Sequence, residues 1–160
     1  MTTLARQVVE LLGRRGLTVG TAESLTGGLL CSTLIDVPGA SSVVRGGAVA
    51  YATDVKASVL GVDADLLAAR GAVDADVARG MAAGARRLLG VDIGVATTGV
   101  AGPDRSDGQP VGTVFVALDS DAGSDVLALA LSGDRRTIRE TAVEESLRLV
   151  LRMCADTPPG

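Results

Sequence analysis

The chain predicts an α/β domain, with helices and strands alternating around an open sheet. Three observations carry this expectation. Helix-period apolar stretches alternate with short runs of small and β-branched residues through the first hundred positions. Two such runs then follow one another across a polar turn, and a long helical pattern closes the chain. Apolar residues make up 47% but aromatics only 1%, with 21 glycines, so the layers must pack through Val, Leu and Ala at close range. A length of 160 residues suits one domain with a sizeable core, expected over residues 1–160.

The elements follow in order. Residues 3–15 carry Leu4, Val8, Leu11 and Leu12 on one face, with Thr2 or Thr3 as cap and Gly16 as stop, and read as a helix. Residues 17–22 read as a strand. The loop Glu23-Ser24-Leu25-Thr26-Gly27-Gly28 then opens a second helix with Leu29, Leu30, Leu34 and Ile35. This loop has two readings: an anion cradle of outward N–H groups, or a close-packed turn with Thr26 as N-cap. Pro38-Gly39 is a turn, 48–51 a strand, and Asp54 the expected cap of a short helix bearing Lys56.

Asp63 to Arg70 reads as a short helix ended by Gly71. Asp74 caps a longer one with Val77, Met81, Ala85 and Leu88 at helical spacing, closed by Gly90. Residues 91–99 read as a buried strand. After the loop that contains DRSDGQ, 112–118 and 125–131 form an antiparallel hairpin. Gly133-Asp134 opens a last helix over about 134–154, and the tail from Asp156 is expected to fray. Arg135, Arg136 and Arg139 crowd its first turns against the helix dipole, which makes them anion ligands or a solvated face.

Charge and composition exclude several functions. A net charge of −4 and a near absence of aromatics argue against nucleic-acid binding. No apolar run reaches membrane-spanning length and no signal-peptide pattern opens the chain, so a cytoplasmic protein with reduced thiols at Cys31 and Cys154 is expected. The chain holds no His, which removes Ser-His-Asp, Cys-His and histidine-ligated metal sites.

The stretch from Asp36 to Gly61 carries the candidate chemistry. It holds the only Tyr, Tyr51, and the only Lys, Lys56, in a chain whose other basic residues are all Arg. An amine that loses its proton when desolvated can act as a base where guanidinium cannot. Ser41 lies ten residues before Tyr51, with Ser42 beside it, so a nucleophile, a proton relay and a base are available without imidazole.

The motifs TAESLTGG (21–28), PGASSVVRGGAVAYATDVK (38–56), LGV (60–62), GAV (71–73), TGVAGPD (98–104), PVGTV (110–114) and SGDR (132–135) resemble the C-terminal domain of the CinA family. The resemblance spans about residues 5–152. It implies a three-layer α/β/α sandwich with a mixed, five-stranded sheet. It further implies a nicotinamide-nucleotide amidohydrolase that converts nicotinamide mononucleotide to nicotinic acid mononucleotide and ammonia, with no cofactor and no metal. The family's Ser-Tyr-Lys set maps onto Ser41, Tyr51 and Lys56. Some members carry a further N-terminal domain, so the stand-alone form is expected here. This chain has Leu25, Val44, Thr53 and Gln109 where the family often has Cys, an aromatic, Asn and Lys.

The mechanism this implies has Ser41 attack the carboxamide while a neutral Lys56 accepts the proton directly or through Tyr51. For a pyridine nucleotide, Thr26, Gly27 and Gly28 are expected at the phosphate, Thr98, Gly99, Ala101 and Gly102 along the ribose or ring, and Arg135 as the neutralising charge. A homo-oligomer is an open expectation. One alternative is a non-catalytic nucleotide-binding module of the same fold. A short-chain dehydrogenase fits less well, because Tyr51 and Lys56 are five apart and no G-x-G-x-x-G turn follows the first strand. Cys31, within an apolar helix pattern and with no His to activate it, reads as a core residue.

Overall fold

The computed structural model describes residues 1–156, with side chains through Ala155. The expected fraying of the tail falls on 157–160, outside the described residues. At 156 the backbone is still helical.

The elements are α1 (Thr2–Arg15), β1 (Val19–Glu23), α2 (Leu29–Ile35), β2 (Val44–Val49), α3 (Thr53–Ser58), α4 (Ala64–Arg70), α5 (Ala75–Leu89), β3 (Ile93–Gly99), β4 (Thr113–Ser120), β5 (Gly123–Ala130) and α6 (Arg135–Asp156). The strands form one mixed sheet in the order β2-β1-β3-β4-β5. β1 pairs in parallel with β2 and β3, while β3-β4 and β4-β5 are antiparallel.

Two apolar layers flank the sheet. On one face Val19, Ile93, Val95, Val114, Val116 and Leu118 pack with α1, α2 and α6. On the other, Ala22, Ala96 and Ala117 meet Leu67, Val77, Met81, Ala82 and Ala85 of α4 and α5. Successive strand residues point to opposite faces, so Val95-Ala96 and Val116-Ala117 put a larger side chain on one face and Ala on the other. The small face lets α5 lie very close to the sheet. A Cβ on Gly94 would stand 2.0 Å from the Ala82 carbonyl oxygen, which no side chain tolerates.

Several boundaries differ from expectation. The second strand runs Val44–Val49 rather than 48–51, so Tyr51 lies beyond the strand. α3 has Ala52 as N-cap, and Asp54 sits in its first turn. α2 is capped by Gly28 at φ 95°, not by Thr26, because the carboxylate described below takes the free N–H groups there. α1 begins at Thr2 with Met1 as N-cap and no side-chain cap. Asp74 is the cap as predicted, accepting from Asp76 N at 2.8 Å, while Asp63, expected inside the short helix, is instead its cap and accepts from Asp65 N at 2.8 Å.

The connection from β1 to β2 runs through α2 on one face. The return to β3 runs through α3, α4 and α5 on the other. The carboxyl end of β1 is therefore a point where the winding reverses, the place where open α/β sheets hold ligands.

Candidate active site

At that end of β1 stands Ser24. Its N–H donates to the Thr97 carbonyl at 3.0 Å, tying it to β3. Opposite it, α3 delivers Lys56 from the far side of β2. The Lys56 side chain is 1% exposed and reaches back to the chain it has just left. Its Nζ donates to the carbonyls of Ala50 at 2.8 Å and Tyr51 at 3.1 Å, and stands 3.0 Å from Ser24 Oγ. Those carbonyls lie between strand and helix, where neither ladder nor helix satisfies them, so the amine serves as their donor.

Burial pulls the Lys56 pKa down to about 8, against the opposing field of Asp107. A neutral amine has two N–H bonds and one lone pair. With two carbonyls taking those N–H bonds, the lone pair of a neutral Lys56 amine is left toward Ser24 Oγ, a geometry in which it can accept the hydroxyl proton.

Ser24 and Lys56 lie at the buried end of a cleft of about 220 Å³. Thr98, Gly99, Val100, Ala101 and Gly102 line it from the end of β3, and Ala72 and Val73 from the loop before α5. Asp104, Ser106 and Asp107 come from the polar loop, and Tyr51 and Arg135 from the rim. The Thr98 hydroxyl donates to the Ala72 carbonyl at 2.7 Å, which joins two of these segments. Arg135 Nη1 donates to the Gly102 carbonyl at 2.5 Å and Nη2 to Tyr51 Oη at 3.1 Å.

Of the predicted residues, the cleft brings together Tyr51, Lys56, Thr98, Gly99, Ala101, Gly102 and Arg135. It does not bring in Ser41. Ser41 sits exposed in a 3-10 turn before β2, while Lys56 follows its other end. The strand alone separates the two by about 16 Å at ~3.3 Å per residue. Ser42 is also exposed, its hydroxyl donating to the Gly39 carbonyl at 2.9 Å. Within one chain the hydroxyl at the amine is that of Ser24. Tyr51 meets Lys56 through its main-chain carbonyl, and its hydroxyl belongs to Arg135.

The glycine loop is occupied from within the chain. It is an anion cradle, but its anion is internal. The Glu23 carboxylate, 1% exposed, accepts from Gly28 N and Leu30 N at 3.0 Å, Cys31 N at 2.8 Å and Thr21 Oγ1 at 3.0 Å. The Thr26 hydroxyl bonds to that of Thr97 at 2.7 Å, and Gly27 N donates to the Ser24 carbonyl at 3.1 Å. Thr26, Gly27 and Gly28 do not line the cleft. They hold the turn that carries Ser24.

Arg139 reinforces this turn, donating to the carbonyls of Leu25 at 2.8 Å and Thr26 at 2.9 Å. It is thus engaged by the protein, and Arg136 pairs on the surface with Glu140 at 2.7 Å. The N–H groups of Leu25 and Thr26 have no acceptor among the described residues. Burial raises the Cys31 thiol pKa, with the Glu23 charge adding to the rise, so the thiol is not activated.

Sequence reasoning passed over Ser24, Glu23 and Asp107. For Ser24 the available signal was a hydroxyl directly after a strand facing a Gly-rich turn. Its pairing with Lys56 spans 32 positions and has no local signature.

Among the described residues no helix is long and apolar enough to cross a membrane. A family model, the CinA C-terminal domain, matches residues 1–154. A CinA-like protein of Frankia casuarinae is 53% identical over 151 residues, covering 94% of this chain and 35% of that protein. A putative competence-damage inducible protein of Bacillus pumilus is 42% identical over 156 residues, covering 98% of this chain and 38% of that protein. The chain thus spans little more than a third of the length of these relatives. A solved CinA superfamily protein from Klebsiella pneumoniae superposes with a TM-score of 0.94 at 30% identity, covering 98% of each chain. The competence/damage inducible protein CihA of Agrobacterium tumefaciens does so at 0.92 and 35%, covering 95% of this chain and 94% of that one.

Proposed function

The chain belongs to the CinA C-terminal domain family, and on that premise we propose that it hydrolyses the carboxamide of nicotinamide mononucleotide to nicotinic acid mononucleotide and ammonia. The observation that carries this reading is the 3.0 Å approach of Lys56 Nζ to Ser24 Oγ in a protein without His.

Ser24 Oγ is the nucleophile and Lys56 the base. As the Ser24 O–H proton moves to the Lys56 lone pair, Oγ bonds to the carboxamide carbon and a tetrahedral oxyanion forms. The N–H of Leu25, the residue after Ser24 and part of the cleft lining, is the oxyanion donor. Such a donor is worth about 3 kcal/mol in the transition state. The Lys56 ammonium then returns the proton to the amide nitrogen, the C–N bond breaks, and ammonia leaves. Water attacks the acyl-Ser24 ester with Lys56 again taking a proton, which frees the carboxylate product and restores the serine.

The cleft is small beside the roughly 300–1,000 Å³ usual for ligand pockets. It suits the ring and ribose, with the phosphate emerging at the rim beside Arg135. Arg135 is the phosphate partner, and Tyr51 Oη steadies it.

Ammonia release from nicotinamide mononucleotide, with nicotinic acid mononucleotide as the second product, is the direct test. Ammonia formation that disappears in Ser24→Ala supports the reading. Binding of the nucleotide without any ammonia would make the domain a nucleotide-binding module instead.

A further inference from the structure

The polar loop between β3 and β4 brings a carboxylate into the cleft under unusual constraint. Asp107 has φ 50°, the only non-glycine with positive φ among the described residues. That conformation is uncommon outside glycine, and Asp and Asn tolerate it best. Asp107 Oδ2 accepts the Ala72 N–H at 2.9 Å, which anchors the side chain to the cleft wall before α5. Among the described residues Asp107 forms no salt bridge, although its field reaches the Lys56 amine. The cleft also carries the opposite charge on Arg135 at its rim, held by Gly102 and Tyr51.

We propose that Asp107 is a specificity-determining residue, selecting amides borne on a cationic ring, an N-substituted pyridinium, over neutral-ring amides of the same shape. The proposal rests on the amidase reading above for the identity of the ligand. A mononucleotide of this kind is cationic at the ring and anionic at the phosphate. Asp107 near the amine and Arg135 at the rim match that order of charges. A carboxylate also offsets the repulsion between a cationic ring and Lys56 when the amine is protonated.

The test separates charge from shape. Nicotinamide mononucleotide and its reduced 1,4-dihydro form share amide, ribose and phosphate, and only the oxidised ring is cationic. Their affinities for Ser24→Ala are measured by calorimetry, with and without Asp107→Asn. The pH is kept well below about 8, so that Lys56 stays protonated. Asn accepts the Ala72 N–H and tolerates the same backbone conformation, so the exchange removes the charge and leaves the loop.

The oxidised-to-reduced affinity ratio is expected to fall about tenfold in Asp107→Asn, the scale of a partly screened ion pair. The same ratio in Asp36→Asn, an exposed carboxylate outside the cleft, stays near its starting value. An unchanged ratio in Asp107→Asn, or an equal fall in Asp36→Asn, overturns the proposal. The ammonia assay on the unaltered chain runs in parallel. Absence of ammonia overturns the amidase reading while the ratio still decides the role of Asp107. Failure to bind either ring form overturns both.

Discussion

Lys56 Nζ stands 3.0 Å from Ser24 Oγ, with its two other hydrogen bonds going to the main-chain carbonyls of Ala50 and Tyr51. The amine is oriented by backbone, so its third position is committed to the serine.

Ser24→Ala should lower the rate of ammonia release by about a thousandfold or more, the scale seen when a nucleophile is removed. Ser41→Ala should leave the rate within about twofold, since an exposed group far from the reaction centre contributes little. Steady-state ammonia assays on both variants decide the assignment. The reverse pattern would return the role to Ser41, reaching the amine from a second subunit.

Lys56→Arg should also abolish turnover, because guanidinium keeps its proton near neutrality. Arg is bulkier than Lys and position 56 is buried, so Lys56→Met serves as a second variant of closer shape. Both should be inactive, with folding checked by circular dichroism. Full activity in either would remove the base from the mechanism.

The pH profile has a definite sign. Only the neutral amine accepts a proton, so kcat/KM should rise with pH through about 8 and level off above it. Asp107 raises the Lys56 pKa, so Asp107→Asn should move this limb to lower pH. Stability follows the same group. The folded-state pKa lies below the ordinary 10.5, so the unfolded chain binds more protons between about 8 and 10.5. The contribution of Lys56 should therefore become more favourable as pH rises through that window. A profile falling with pH near 8 would contradict the assignment.

Glu23→Ala strips three N–H groups at the start of α2 of their acceptor. A buried donor left unpaired costs about 1–3 kcal/mol. Urea unfolding should show a loss of at least ~3 kcal/mol. Glu23→Gln, which keeps one oxygen, should lie between the two. Stability close to the original in Glu23→Ala would mean that the turn finds another partner.

Arg135→Ala should raise KM for the mononucleotide about tenfold or more with a smaller effect on kcat, as expected for loss of a charged contact at the mouth. Tyr51→Phe should follow it in direction and be milder, since the hydroxyl supports Arg135 and does not meet Lys56. A collapse of kcat in Tyr51→Phe, with KM unchanged, would restore a proton-relay role to the tyrosine.

Local pattern carried much of the fold. The apolar spacing of α1 and α5, the cap Asp74 and the β4-β5 hairpin were all readable, because each depends on neighbours a few positions away. Lys56 stands out in the sequence as the single lysine among arginines, and the structure buries it at the cleft. The boundaries of β2 and α3 were missed. Ala48 to Tyr51 looks like a strand, yet the pairing of β2 with β1 ends at Val49 opposite Glu23.

The amino-acid sequence alone determined which elements form, that the core is built from small aliphatic side chains, and that any base here is not an imidazole. Only the tertiary structure decided which serine meets that amine and which anion fills the glycine loop. Ser24 and Lys56 are 32 positions apart, and Ser41 is nearer to Lys56 along the chain. Parallel pairing of β1 with β2 puts Ser24 at the same sheet end as Lys56 and leaves Ser41 at the other. The physical reason is strand direction: a parallel strand carries its two ends to opposite edges of the sheet, whatever their separation in sequence.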